Sequence, residues 1–196
     1  TAWNKKVKAT NNDMLDFMIV KQPKIEASPN KSFHYCNTNF ALLALVVEKV
    51  TSISFPTYMK DSVFIPLGMK NTFVFSVHDT ANYTPSYTYS NTPFELESLD
   101  CIYGDKNIYS TVQDLLLWDK AMYSNNFIQQ SYLQKSFTPY SNERFSYHNY
   151  GLGWRLYIDG PDTTVYHNGW WHGNNAVFAR MVGDTATIIT LGNKYN

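Results

Sequence analysis

Two short stretches set groups able to move protons beside groups able to hold a polar substrate. In Phe33-His34-Tyr35-Cys36-Asn37, on a loop directly before an apolar helix, Tyr35 and Asn37 stand two positions apart. A phenol relays protons when nearby cations depress its pKa from ~10, and an amide orients a polar ligand. The plainer reading of the pair is a loop tyrosine packed on the core, with Asn37 as helix N-cap. In Tyr166-His167-Asn168-Gly169-Trp170-Trp171-His172-Gly173, at a strand end entering a turn, His167 can exchange a proton. Gly169 lets a ligand approach the backbone, so the N–H beyond it can face a developing oxyanion. A structural Gly-His turn is the alternative there, and the small residues of Gly104 to Thr111 read as a turn and cap.

Metal chemistry finds little support. His167 and His172 lack a third ligand at suitable spacing, and no H-E-x-x-H occurs. Cys36 and Cys101 have no second Cys or His at ligand spacing, which leaves buried thiols or a single disulfide. No metal or other cofactor is expected.

The elements that must carry these residues follow from patterning. Asn12-Asp13 can cap a short amphipathic helix over Met14 to Ile19, and Pro23 and Pro29 make 21–31 a loop. Thr38 to Val50 is apolar nearly all round and is expected as a buried helix. A second helix is expected over Phe55 to Phe64, with Pro56 in its first turn and Ile65 to Met69 as its terminating turn. Strand-like alternation marks Thr72 to Val77, inside a long irregular excursion that reaches Tyr103. Ser110 with Gln113 reads as a capping box for a helix through Met122, and a shorter helix is expected near Ile128 to Lys135. Four strand-like runs then follow, Leu152 to Ile158, Thr163 to His167, Ala176 to Val182 and Thr185 to Leu191, separated by hairpin-type turns at Asp159-Gly160-Pro161 and Gly183-Asp184. The division is a helical and loop region over 1–150 and an antiparallel meander over 151–196, both parts of one domain.

The chain has 196 residues with 16 basic and 16 acidic side chains, a net charge of zero that offers no basic stripe for nucleic acid. Its longest apolar run, Phe40 to Val47, falls far short of the ~20 residues of a membrane span. Charged residues are only 16% and aromatics also 16%, a composition associated with surfaces outside the cell.

The order of motifs carries more than any one of them. Tyr35-x-Asn37, Ile65-Pro66-Leu67-Gly68-Met69 with Asn71-Thr72, Tyr109-Ser110-Thr111 with Asp114-Leu115, Tyr150-Gly151-Leu152-Gly153-Trp154, His167-x-Gly169 and Leu191-Gly192-Asn193 follow one another from about Asp13 to Asn193. This series resembles the serine β-lactamase and penicillin-binding-protein-like family, in the branch of class C β-lactamases, D-alanyl-D-alanine carboxypeptidases and esterases. The resemblance implies an α+β fold, an antiparallel sheet flanked by helices plus a helical lobe, here incomplete at its N-terminus. It implies a nucleophilic Ser and a Lys in S-x-x-K, with Y-x-N and K-T-G or H-x-G as further motifs. By resemblance Tyr35 shuttles the proton, Asn37 holds the acyl side of the substrate, His167 stands where many relatives have Lys, Gly169 is the third-motif glycine, and the Trp170 N–H is half of the oxyanion hole. His in place of Lys removes a permanent cation and favours ester or peptide substrates over β-lactams.

The first motif departs from the family. Ser28-Pro29-Asn30-Lys31 is the one S-x-x-K match, in a Pro-containing polar loop rather than at the start of a buried helix where Ser and Lys share a face. The expectation is therefore that the nucleophile lies upstream of Thr1 and that the chain alone is inactive, a fragment or shortened homologue. The parent is read as a serine hydrolase of small-molecule or peptide substrates, cell-wall-related ones included. It would be periplasmic or extracellular by resemblance, with membrane anchoring through a preceding segment. The alternatives are a non-catalytic module that binds glycan or peptide on its aromatic surface, and a pseudoenzyme.

Overall fold

The computed structural model describes residues 7–76, 79 and 83–195. Thr1 and Val77, which the sequence reading used, lie outside them. The described elements run α1 (Asn11–Lys21), α2 (Asn37–Thr51), α3 (Phe55–Met59) continuing into a π-helical turn (Lys60–Phe64), β1 (Phe73–Val74), β2 (Ile108–Tyr109), α4 (Val112–Met122), α5 (Gln130–Ser136), β3 (His148–Tyr150), β4 (Arg155–Asp159), β5 (Asp162–Trp171), β6 (Asn174–Met181) and β7 (Ala186–Gly192). Strands β1 and β2 pair with each other, and β3 to β7 form a five-stranded antiparallel sheet in sequence order. The α+β class is as expected. The sheet takes in His148–Tyr150, so it begins ahead of residue 151.

The helix starts differ from the sequence reading in which residue caps. Thr10, not Asn12 or Asp13, is the N-cap of α1; its hydroxyl accepts from the Asp13 N–H while the Asp13 carboxylate accepts from the Thr10 N–H at 2.9 Å. At α4 the cap is Thr111 rather than Ser110, and its side chain accepts from the Asp114 N–H at 3.1 Å. Asp114 is buried and accepts from the Asn71 N–H and the Thr72 hydroxyl at 2.7 and 2.8 Å, tying the turn after Met69 to α4.

Helix α2 is not buried all round. Ala41 and Ala44 are buried, but Leu43, Val46 and Val50 are 57%, 53% and 79% exposed. The small residues face inward because Gly104 packs directly against that side: a Cβ on Gly104 would lie 2.6 Å from the Phe40 carbonyl oxygen and 2.8 Å from the Ala44 Cβ. Asn11, buried, fastens the same corner by donating to the carbonyls of Ala41 and Tyr103 and accepting from the Tyr103 N–H. One core cluster gathers Val63, Phe64, Met69 and Val74 with Trp118 and Phe127 against it, and Leu156 and Val165 are fully buried in the sheet. Among the described residues no single helix is long and apolar enough to cross a membrane.

Strand β5 is longer than expected. It pairs with β6 out to Trp171↔Asn174, so His167 and Gly169 lie inside the strand, and the turn comes at His172, whose φ of 53° is left-handed. Gly169 sits opposite Ala176, a small neighbour that lets the ladder continue past it.

Candidate active site

Two connections converge on one place. The chain entering α2 is extended at Cys36, the N-cap, which makes no side-chain cap bond. This sets Tyr35 just outside the helix and Asn37, exposed, as its first residue. The cap position thus falls to Cys36, not to Asn37 as the plainer reading had it. The second connection is β5, whose partner β4 reaches only to Arg155↔Tyr166. Beyond that point, among the described residues, no strand pairs with His167 to Trp171 on the β4 side. Such an edge leaves backbone N–H and C=O groups open to an extended ligand.

Tyr35 and His167 meet there. The Tyr35 ring centroid is 5.8 Å from those of His167 and Tyr150 and 5.7 Å from that of Phe40, and the residue is 40% exposed. Its phenol is held above the ordinary value, chiefly by burial; the Arg155 charge opposes this, while those of Asp105 and Cys36 add to it. The expected cation is present, but in these residues alone it does not outweigh burial.

His167 is fixed in orientation. Its Nδ1 lies 2.8 Å from the Asn168 carbonyl, which can only accept, so that nitrogen carries the proton. Nε2 is then the acceptor for the Tyr150 hydroxyl at 3.1 Å. Burial holds His167 below the ordinary histidine value, the Asn168 bond opposes, and the Arg155 charge adds. The imidazole is thereby kept neutral, with a donor already aimed at its acceptor nitrogen.

Gly169 lies two residues along the same strand, exposed at the open edge. Trp170 follows it, and strand alternation sends its side chain to the face opposite His167. Its indole N–H donates to the His172 carbonyl at 3.0 Å, and its ring, 70% exposed, lies 5.9 Å from Tyr195. The structure therefore brings Tyr35 and His167 together, with Asn37 two residues after Tyr35 at the start of α2 and Gly169 two residues after His167 on β5, and leaves the Trp170 side chain outside that pair.

Two residues of the cluster were not singled out from sequence. Tyr150 opened a quoted motif, and Arg155 is the residue directly after that motif. Tyr150 is buried, stacked on Phe33 at 4.8 Å, its hydroxyl pushed up to about 12 by burial and the Tyr35 charge against that of Arg155. Arg155 places its guanidinium 5.6 Å from the Tyr35 ring centroid. Register brings them in, through Tyr150↔Arg155 and Arg155↔Tyr166.

Other candidates stand apart. Ser28 and Lys31 lie in an exposed turn closed by the Lys31 N–H on the Ser28 carbonyl at 3.2 Å, not on a helix. His172 is engaged by Asp100, with Nε2 3.0 Å from Oδ1, and Asp100 also accepts from the Trp171 indole at 2.6 Å. Among the described residues no three His, Cys, Asp or Glu side chains group as a metal site. Cys36 is exposed rather than buried, Cys101 is half-buried, and both are thiols.

The sequence and fold match a known family. The family model described as Beta-lactamase matches residues 3–194, and the chain belongs to that family. It is 31% identical over 98% of its length to penicillin-binding protein 4* of Bacillus subtilis, of which it spans 46%. The penicillin-binding protein of Bacillus halodurans superposes with a TM-score of 0.79 at 22% identity, over 93% of this chain and 59% of that one. D-amino acid amidase from Ochrobactrum anthropi, complexed with L-phenylalanine amide, superposes at 0.75 and 19%, over 99% and 57%. The chain thus spans about half the length of these relatives.

Proposed function

We propose that the chain is part of a serine hydrolase that works through an acyl-enzyme on peptide, amide or ester bonds, with the nucleophilic Ser and its Lys supplied by residues outside 1–196. The observation that carries this reading is the meeting of Tyr35 and His167 at the open edge of β5, each two residues from its motif partner, Asn37 or Gly169. A carbonyl laid along that edge would have its oxygen near the backbone N–H of Trp170. The serine oxygen would add to the carbonyl carbon, its proton passing to the Lys and Tyr35, and the amine or alcohol would leave protonated; water then releases the acyl group. Asn37 would hold the acyl side. The neutral, pre-oriented His167 would serve as hydrogen-bond partner rather than as a fixed cation, which suits ester or amide substrates. The names of relatives, penicillin-binding proteins and a D-amino acid amidase, favour amide and peptide bonds, and periplasmic or extracellular work goes with the same reading.

The test is labelling of the full-length protein with a fluorophosphonate and with a penicillin-type probe. Modification of one serine outside residues 1–196, slowed about 100-fold or more by Tyr35→Phe, is expected. The absence of any labelled serine, with glycan or peptide binding retained, would establish the non-catalytic module instead, for which the exposed Trp170 and Tyr195 rings are the supporting observation.

A further inference from the structure

The cluster at the open edge contains three titratable rings, Tyr35, Tyr150 and His167, and one guanidinium. That guanidinium is unusual in its partners. Arg155 is half-buried, yet among the described residues no carboxylate forms an ion pair with it, and its Nε is buried without a hydrogen-bond partner. What it does face is the Tyr35 ring, 5.6 Å from its Cζ. A half-buried arginine without an acid is costly unless its charge is used elsewhere.

We infer that Arg155 is a positioning residue for catalysis, the fixed positive charge that favours Tyr35 as a proton acceptor. A cation against an aromatic face attracts a neutral phenol weakly and a phenolate strongly, so it stabilises the form that accepts the serine proton. The other groups around Tyr35 do not supply this. Tyr150 from β3 keeps its proton, and burial holds His167 from β5 toward its neutral form. Asp105, ahead of β2, carries the wrong sign and is tied to Lys106 at 2.9 Å, where the two charges offset. Cys36 adjoins Tyr35 on its own strand of chain and contributes no cation. Glu143, which accepts from the N–H of Phe33 two residues before Tyr35, is also an anion. Backbone geometry holds Arg155 in place, because its two cross-strand partners, Tyr150 and Tyr166, pin β4 between β3 and β5.

The inference rests on the proton-transfer role given to Tyr35 above, and its test reads separately from that role. In the full-length protein, ring-¹³C tyrosine NMR, with Tyr35→Phe to assign the signal, follows ionisation of Tyr35 whether or not the protein is active. In Arg155→Gln the Tyr35 midpoint is expected about one pH unit higher, and in Arg155→Lys close to wild type. The acid limb of the fluorophosphonate labelling rate should move in the same direction, with about a tenfold loss near neutral pH in the Gln variant and rescue in the Lys variant. The fluorophosphonate is uncharged, so the loss does not depend on binding a substrate anion to Arg155. An unchanged Tyr35 midpoint in Arg155→Gln overturns the inference, as does a shift in Arg155→Lys as large as in Arg155→Gln. If the wild type takes no label while the midpoints move as stated, the hydrolase reading fails and the electrostatic role of Arg155 stands.

Discussion

The Tyr150 hydroxyl donates to Nε2 of His167 at 3.1 Å, while Nδ1 of the same ring donates to the Asn168 carbonyl at 2.8 Å. With the imidazole neutral both ring nitrogens are satisfied, one as donor and one as acceptor; protonation of Nε2 would require the phenol to turn and accept instead. Tyr150 is buried and keeps its proton, so it is available as a donor to a neutral His167. The substitution Tyr150→Phe keeps the ring but removes the donor. It should cost about 1 kcal/mol of stability in denaturant unfolding, while the His167 midpoint, read by imidazole NMR, should stay below 6.5, because burial is the main cause of its depression.

The same ring sets a pH dependence. His167 is depressed in the folded chain, so the unfolded chain takes up its proton first as pH falls. Stability contributed by this group is complete above the ordinary value of 6.5 and is lost as pH drops from there through the lower folded value. Replacing His167 by Gln removes that titration. Thermal melts from about pH 7 down to about pH 5 should therefore fall less steeply in His167→Gln than in the wild type.

Gly104 holds the loop that carries Asp105 and Lys106 against the start of α2. Its φ of 99° disfavours any side chain, and a Cβ would press on the Phe40 carbonyl. Gly104→Ala should destabilise by more than about 2 kcal/mol. Gly183 is the matched control: a Cβ there meets nothing within 4 Å, and Gly183→Ala should change stability by less than about 0.5 kcal/mol in the same unfolding experiment.

The meander and its turns were legible because period-two alternation and the residues at Gly160 and Gly183-Asp184 encode them locally. The order of short motifs singled out Tyr35 and His167, which meet in the fold although 132 residues separate them. The caps were displaced because adjacent residues compete: Thr10, Asn11, Asn12 and Asp13 can each cap a helix, and only the reciprocal pairing of Thr10 with Asp13 at the third helical position decides among them. The exposure of α2 was hidden because an apolar pattern records what a helix can bury and not which neighbours lie against it. Tyr150 and Arg155 were missed as site residues for a related reason. Their place beside Tyr35 is created by strand register, Arg155 with Tyr150 on one side and Tyr166 on the other, and no spacing along the chain announces it.

The sheet is joined to the helices by a charge pair that the sequence reading did not contain. Arg180 on β6 is 1% exposed, and its Nε donates to Oδ1 of Asp119 on α4 at 2.6 Å. Its guanidinium also lies 4.6 Å from the Tyr123 ring centroid and within 3.7 Å of the Met122 sulfur. Nη2 is buried without a hydrogen-bond partner among the described residues, so the pair does not satisfy every group it buries. Removing one partner is the costly change, because the other charge stays in the interior. Arg180→Met should destabilise by about 3–5 kcal/mol, and Asp119→Leu similarly. The double variant exchanges the pair for apolar groups and should recover much of that loss. Denaturant unfolding of the four proteins forms a double-mutant cycle. A double variant as unstable as the sum of the two single variants would mean that the pair contributes no coupling between α4 and β6.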